Sequence, residues 1–87
     1  MKLIKLTKKE FDYLIKSKFI NSETKSKLAE KKTKENEYYK IKISEELSEE
    51  IRDKCGEQLQ IAGFDENYQT NEEGRILESL IDKLYSE

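Results

Sequence analysis

The segment YYKIKISEEL, residues 38–47, decides the fold of this 87-residue chain, because its periodicity changes from that of a strand to that of a helix. Over residues 38–43 large apolar side chains alternate with a second set that includes two lysines. The first set is Tyr39, Ile41 and Ile43, and the second is Tyr38, Lys40 and Lys42. This alternation is typical of a half-buried strand. Ser44 then predicts a helix N-cap, and the two acidic residues after it lie where the helix dipole favours negative charge.

The N-terminal residues supply the expected partner strand. KLIKL, residues 2–6, is a short and partly β-branched run between polar residues, which predicts a strand that pairs with residues 38–43. Thr7 and Glu10 follow with the spacing of a capping box, and they predict the start of a first helix.

Two further helices are predicted in the second half of the chain. The third helix is indicated by apolar residues at helical spacing, namely Leu47, Ile51, Cys55, Leu59 and Ala62. Gly56 weakens this helix, so we expect either a close helix approach or a break there, and Gly63 fits a left-handed C-cap. Thr70 and Glu73 form another capping-box pattern that opens a fourth helix. Its broad apolar stripe comprises Ile76, Leu77, Leu80, Ile81, Leu84 and Tyr85.

The segment between the two predicted strands gives weaker signals. Ser22 is a predicted N-cap for a second helix whose only apolar residues are Leu28 and Ala29. Residues 31–37, KKTKENE, have no apolar side chain and predict an exposed loop. We therefore expect a single α+β domain, residues 1–87. Its two-stranded sheet, about 2–6 and 38–43, is expected to be covered by about four helices.

Charge divides the chain into two unlike halves. Residues 1–43 hold 13 lysines against 6 acidic residues, and residues 44–87 hold 4 basic against 13 acidic residues, so they carry +7 and −9. Such asymmetry bears on partners and on association rates rather than on the fold. The basic half favours a polyanion as partner, and the acidic half favours a basic protein surface.

The residue types argue against catalysis and metal binding. Histidine, the commonest general base near neutral pH and a common metal ligand, is absent. Cys55 lacks an activating base, and its place in an apolar series predicts a packed core thiol. Residues 65–76 have the alternation of a calcium loop, but Thr70 replaces the glycine and Ile76 replaces the bidentate glutamate. We expect no enzyme activity, no metal and no cofactor.

The sequence also predicts a compartment. A single cysteine excludes an intramolecular disulfide. The N-terminus has no apolar stretch that approaches signal-peptide length, and no segment has the roughly 20 apolar residues that span a bilayer. We expect a cytoplasmic protein that does not enter a membrane.

A pattern in residues 38–85 carries a family resemblance. It comprises Glu50, Ile51, Arg52, Asp53, Cys55, Gly56, Leu59, residues 63–68, Glu73, Gly74, residues 76–78 and residues 80–83. In this pattern the chain resembles small acidic immunity proteins encoded beside bacterial polymorphic or contact-dependent toxins. The resemblance implies a cytoplasmic inhibitor that occludes the active site of a cognate toxin, such as a nuclease, and performs no chemistry itself. The lysine-rich residues 21–37 lie outside it.

The resemblance and the acidic charge together name candidate contacts with the toxin. They are seven carboxylates and one aromatic anchor, namely Glu45, Glu46, Glu49, Asp53, Glu57, Asp65, Glu66 and Tyr68. The loop that contains the last three is expected first to connect two helices and second to present an acidic platform.

The basic half supports an alternative function. Residues 6–32 can be read as helix, turn and helix, which would suit a DNA-binding regulator or a phage anti-defence protein. In this interpretation the second helix turns four lysines towards DNA phosphates, namely Lys25, Lys27, Lys31 and Lys32. The segment has no arginine for reading guanine, and it carries Glu23 and Glu30 on the supposed recognition helix. A solvated lysine-rich surface is the preferred interpretation, and we do not expect nucleic acid as the partner.

Overall fold

The structure, a computed structural model, describes residues 2–85 as an α+β domain. Its elements are β1 (Lys2–Thr7), α1 (Lys8–Lys16), α2 (Ser22–Lys31), β2 (Lys32–Glu35), β3 (Tyr38–Ile43), α3 (Glu45–Ala62) and α4 (Glu72–Tyr85). The fold class and the four helices agree with the prediction.

The sheet has three strands, so the predicted two-stranded sheet is wrong. Its order is β1-β3-β2, and both neighbouring pairs are antiparallel. The additional strand, β2, lies within residues 31–37, where the sequence predicts a loop. All four of its residues are exposed, so its stability comes from backbone pairing with β3 and not from an apolar face. Asn36 makes the tight turn between the two strands with φ 51°, a left-handed value that asparagine tolerates.

The predicted alternation in β3 is confirmed. Tyr39 and Ile41 lie opposite Leu6 and Ile4 of β1, and all four side chains are buried. The other face of the sheet is open to solvent, as shown by Tyr38, whose exposed fraction is 49%. The molecule therefore has two layers, in which the helices cover one face of the sheet.

The start of α1 follows its predicted capping box. The Glu10 backbone N–H donates to the Thr7 hydroxyl, and the Thr7 backbone N–H donates to the Glu10 carboxylate at 2.8 Å. Glu10 is buried and also accepts hydrogen bonds from Lys83 and Ser79 of α4. A single carboxylate thus caps one helix and joins it to another.

The second helix is present, but its N-cap lies one residue earlier than predicted. Asn21, not Ser22, is the N-cap, because its side-chain oxygen accepts the Thr24 backbone N–H at 2.8 Å. Leu28 is buried and anchors α2, which leads directly into β2.

Helices α3 and α4 form a hairpin with a mostly apolar interior. Ile51 and Cys55 of α3 are buried, and burial raises the pKa of the Cys55 thiol to about 12, so the predicted core thiol is confirmed. On α4 the buried apolar residues are Leu77, Leu80 and Leu84. Tyr85, predicted on the apolar stripe, is instead exposed, with the Arg52 guanidinium 4.9 Å from its ring centroid.

Gly56 causes neither of the two features expected of it. α3 is continuous from Glu45 to Ala62. A Cβ built on Gly56 would meet no atom within 4 Å, which excludes a close helix approach at this residue.

The close approach lies instead at the α3–α4 junction. Gly63 has φ −86°, so the predicted left-handed C-cap is wrong. A Cβ on Gly74 would lie 2.1 Å from the Gly63 carbonyl oxygen, and a Cβ on Gly63 would lie 2.4 Å from Leu59 Cδ1. Two glycines are therefore required because the two backbones touch.

The start of α4 also differs from the prediction. Asn71, rather than Thr70, acts as the cap, because its side-chain oxygen accepts the Gly74 backbone N–H at 2.7 Å. Its amide group donates to the Ala62 carbonyl at 2.8 Å. Asn71 therefore joins the end of α3 to the start of α4, which a local capping-box pattern does not reveal.

Candidate functional site

The outer face of α3 gathers five exposed carboxylates. They recur at intervals of three and four residues, which places them on the side of the helix opposite its buried Ser48, Ile51 and Cys55. We call this set the acidic face: Glu46, Glu49, Glu50, Asp53 and Glu57. It extends roughly 16 Å along the helix at 1.5 Å per residue.

No carboxylate of the acidic face forms an ion pair within residues 2–85, although Lys54 lies on the same helix, four residues after Glu50 and three before Glu57. The ion pairs within residues 2–85 are Lys9–Glu72, Lys27–Glu23, Lys40–Glu35 and Lys83–Glu10. None of them uses a carboxylate of the acidic face. Because like charges three and four residues apart repel each other, the face retains its negative potential at some cost to the helix.

Four of the eight predicted contact residues lie outside the acidic face, namely Glu45, Asp65, Glu66 and Tyr68. Glu45 is exposed in the first turn of α3, about 100° around the helix from Glu46. Asp65 and Glu66 lie in the loop that joins α3 to α4. The structure therefore brings together Glu46, Glu49, Asp53 and Glu57, and it places the loop residues beyond the C-terminal end of the same helix.

The α3–α4 loop is held in one shape by its own hydrogen bonds. Phe64 and Thr70 form an isolated β-bridge, and the Asp65 backbone N–H donates to the Gln69 carbonyl at 2.8 Å. One carboxylate oxygen of Asp65 accepts the backbone N–H groups of Asn67 at 2.8 Å and Gln69 at 3.0 Å. Asp65 therefore shapes the loop, in the manner of an Asx turn.

Tyr68 is the most exposed large hydrophobic side chain among the described residues, with an exposed fraction of 88%. Its φ is 61°, a left-handed value that costs a residue with a Cβ about 1–2 kcal/mol. The strain is sustained by the Asp65 turn, to whose carbonyl the Tyr68 backbone N–H donates at 3.0 Å. Strained residues of this kind concentrate at binding sites.

Two features of this surface were missed at the level of sequence. Glu50 belongs to the acidic face, and its spacing of four residues from Glu46 was the available signal. Ile61, one turn after Glu57, is 79% exposed, and Phe64 is 39% exposed. The acidic face thus leads into an apolar end formed by Ile61, Phe64 and Tyr68.

The lysines of the predicted recognition helix are mostly engaged within the protein. Lys25 donates to the Ser17 carbonyl, and Lys27 pairs with Glu23 at 3.5 Å. Lys32 begins β2 rather than lying on the helix, and its amine sits 4.9 Å from the ring centroids of both Phe11 and Tyr39. Lys31 is the one of these four lysines without such a contact among residues 2–85, which weakens the helix-turn-helix interpretation.

The other titratable groups offer little chemistry. Among residues 2–85 no group of three His, Cys, Asp or Glu side chains is placed to hold a metal ion. The Tyr13 hydroxyl donates to Glu73 at 2.5 Å, and burial together with that carboxylate raises the pKa of Tyr13, so it stays protonated. None of the helices in the described part of the chain has the length and apolar character needed to cross a membrane.

Fold and surface together define a small α+β protein whose most distinctive face is an acidic helix with an aromatic loop at its end. No protein-family model, curated protein or solved structure matches the chain. The resemblance to toxin immunity proteins therefore stays a prediction, and function has to be argued from the surface itself.

Proposed function

We propose that this protein is a non-catalytic inhibitor of immunity type, which binds a cognate bacterial toxin and occludes its active site. The observation that carries the proposal is the acidic face, five exposed carboxylates of one helix with no ion-pair partner within residues 2–85. Keeping these carboxylates unpaired costs stability, which is understandable if a basic partner supplies the counter-charge on binding.

The sign of this charge supports a nuclease as the class of toxin. A nuclease binds phosphates in a cleft lined by basic side chains, so a row of carboxylates can occupy the same cleft. Complementary charge also accelerates encounter, because the field of one partner steers the other before contact.

The apolar end of the acidic face provides the expected anchor. Aromatic residues dominate the energetics of many interfaces, and Tyr68 projects from a loop that is already ordered by Asp65. A preorganised loop loses little conformational freedom on binding, which leaves more of the contact energy for affinity.

A specific complex of standard size would use a modest part of this protein's surface. A standard interface buries about 800 Å² on each partner, which is roughly an eighth of this protein's 6093 Å² of accessible surface.

The test is inhibition of the toxin encoded beside this gene. We expect the purified protein to suppress that toxin's activity at equimolar concentration and to form a complex that is isolable by size-exclusion chromatography. The triple variant Glu46→Gln/Asp53→Asn/Glu57→Gln should bind more slowly, and its association rate should depend less on salt. Tyr68→Ala should mainly accelerate dissociation.

A matched control separates this face from overall charge. Glu30→Gln/Glu37→Gln/Asp82→Asn removes the same three charges from exposed residues elsewhere, and it should inhibit like the natural protein. Undiminished toxin activity at stoichiometric excess of the natural protein would refute the proposal. Equal loss in both triple variants would refute the assignment to the acidic face.

A further inference from the structure

The open face of the sheet carries a second charged surface, separate from the acidic face. The strand register places Lys5 directly opposite Lys40 and places Leu3 opposite Lys42. Leu3 is 52% exposed, and Tyr38 on the same face is 49% exposed. We use the name open sheet face for Leu3, Lys5, Tyr38, Lys40 and Lys42, which share this side of the sheet with Thr33 and Glu35 of β2.

The positive charge of this face is only partly balanced. Like charges directly opposite each other destabilise an antiparallel pair, so the Lys5–Lys40 register is unfavourable on its own. Glu35 pairs with Lys40 at 2.9 Å, whereas Lys5 and Lys42 have no carboxylate partner within residues 2–85. An anion on this face would relieve the repulsion.

A groove at the end of the sheet, beside Tyr38, adds basic side chains from α1 and from the helix-covered side of β2, where Lys34 lies opposite the buried Tyr39. It has a volume of about 400 Å³, and Tyr38 lines it together with Lys8, Lys9 and Lys34. Lys9 is paired with Glu72, and Glu37 is the acidic residue in the lining. Lys8 and Lys34 are exposed and take part in no ion pair of the described residues.

We propose that the open sheet face and the adjoining groove bind single-stranded nucleic acid, with lysines on the phosphates and a base stacked on Tyr38. The charge complementarity of Lys5, Lys42, Lys8 and Lys34 favours a polyanion. The exposed ring of Tyr38 favours a strand whose bases are unpaired, because only an unpaired base presents its flat side for stacking.

This surface differs from the helix pair considered from the sequence, since its residues lie mainly on strands. It also does not depend on the proposed inhibition of a toxin, because the acidic face belongs to the helical layer on the other side of the sheet. The acidic face repels a polyanion, so the single-stranded nucleic acid is guided towards the lysines.

The test is fluorescence anisotropy with labelled oligothymidylate and oligouridylate of about 20 nucleotides. We expect binding in low salt that weakens roughly a thousandfold for a tenfold rise in salt, because about four phosphates are contacted at a slope of about −0.7 each. Tyr38→Ala should weaken binding by about tenfold, whereas Tyr38→Phe should retain the affinity.

Two lysine variants of equal charge locate the site. Lys5→Gln/Lys42→Gln should reduce the salt slope by about 1.4, whereas Lys18→Gln/Lys54→Gln, which changes exposed lysines elsewhere, should leave it unchanged. Circular dichroism melting of every variant checks that each remains folded.

Several results would overturn the proposal. They are no binding of either oligonucleotide at about 100 µM protein in low salt, stronger binding of a duplex than of a single strand, and equal loss of affinity in the two lysine variants. Self-association that disappears only in Lys5→Gln/Lys42→Gln would assign the face to a second copy of this chain instead.

Discussion

The two halves of the chain carry opposite charges and use them differently. In the first half, several charged groups are tied to the protein: Lys25 donates to a backbone carbonyl, Lys32 lies over two aromatic rings, and Glu10 is buried among hydrogen-bond donors. The lysines of the open sheet face and its groove are the exception, because Lys5, Lys8, Lys34 and Lys42 form no ion pair among residues 2–85. In the second half, the carboxylates of the acidic face point outwards without partners among residues 2–85.

The difference separates charge that builds the fold from charge that is displayed. The first half needs its polar groups for stability, because its helices are short and β2 has no apolar side chain. The second half is stabilised by the apolar interior of the α3–α4 hairpin and by backbone contact, so its carboxylates are available to a partner. Substitutions in each half should therefore act on different quantities.

The largest effect on stability is expected at the α3–α4 junction, where the backbones of Gly63 and Gly74 touch. Gly74→Ala places a Cβ 2.1 Å from the Gly63 carbonyl oxygen, and this backbone cannot move without separating α3 from α4. We expect a loss of about 3 kcal/mol in the free energy of unfolding, the upper range for overpacking. Urea unfolding followed by circular dichroism measures it.

Gly56→Ala is the matched control for that substitution. It adds the same methyl group to the same hairpin at a residue where nothing lies within 4 Å. We expect a gain of about 0.5–1 kcal/mol, because alanine has the higher helix propensity. Equal destabilisation by the two alanines would contradict the role given to the glycine contact.

The second-largest effect on stability is expected at Glu10, a charged residue of the first half that supports the fold. Burial raises the pKa of Glu10, but the hydrogen bonds from Lys83, Ser79 and the Thr7 backbone outweigh it and hold the pKa below its usual value. Glu10→Gln keeps the shape and removes the charge, so Lys83 loses its partner. We expect a loss of about 2 kcal/mol in the free energy of unfolding, a typical value for hydrogen bonds to a charged group.

The same carboxylate predicts a dependence on pH. Because its pKa is lower in the folded state, its contribution is complete above the usual glutamate pKa of 4.5 and is lost as the pH falls through the folded value. Glu10→Gln should therefore lose less stability than the natural protein when the pH falls below about 4.5.

Glu72→Gln, which removes an exposed pair with Lys9, should leave the melting temperature at neutral pH unchanged.

The sequence predicted those parts of the fold that depend on local patterns. The alternation of β3, the Thr7–Glu10 capping box and the burial of Cys55 are each determined within a few residues. β2 was missed because an edge strand needs a neighbour but no apolar face, and its tight turn at Asn36 was the one local signal. The conformation of Gly63 was missed because it depends on contact with α4, a distant segment.

The candidate site was predictable to a similar extent. The helical spacing of α3 is sufficient to place Glu46, Glu49, Asp53 and Glu57 on one side. The turn-forming role of Asp65 and the strained backbone of Tyr68 depend on the shape of the loop, which is set where α3 meets α4. Composition indicated the acidic character of that loop but not its conformation.

A smaller effect on stability is expected at the residue with left-handed φ in each half, Asn36 in the first and Tyr68 in the second. Tyr68→Gly removes a strained φ of 61° and should increase the free energy of unfolding by about 0.5–1 kcal/mol, after allowance for the greater flexibility of glycine in the unfolded chain. Asn36→Gly should change it much less, because asparagine already tolerates φ 51°. No gain in stability would contradict the strain at Tyr68.

The smallest effect tests the cost of the unpaired carboxylates. Asp53 lies three or four residues from Glu49, Glu50 and Glu57, so Asp53→Asn removes three repulsions and should increase the free energy of unfolding by about 0.5 kcal/mol. The gain should disappear in about 1 M salt, where surface charges are screened. Lys27→Gln is the counterpart in the first half and should lower stability slightly, because Lys27 pairs with Glu23 four residues earlier. The free energies of unfolding of the two variants, measured in low and in high salt, distinguish displayed charge from structural charge. A loss of stability in Asp53→Asn would mean that the carboxylate serves the fold.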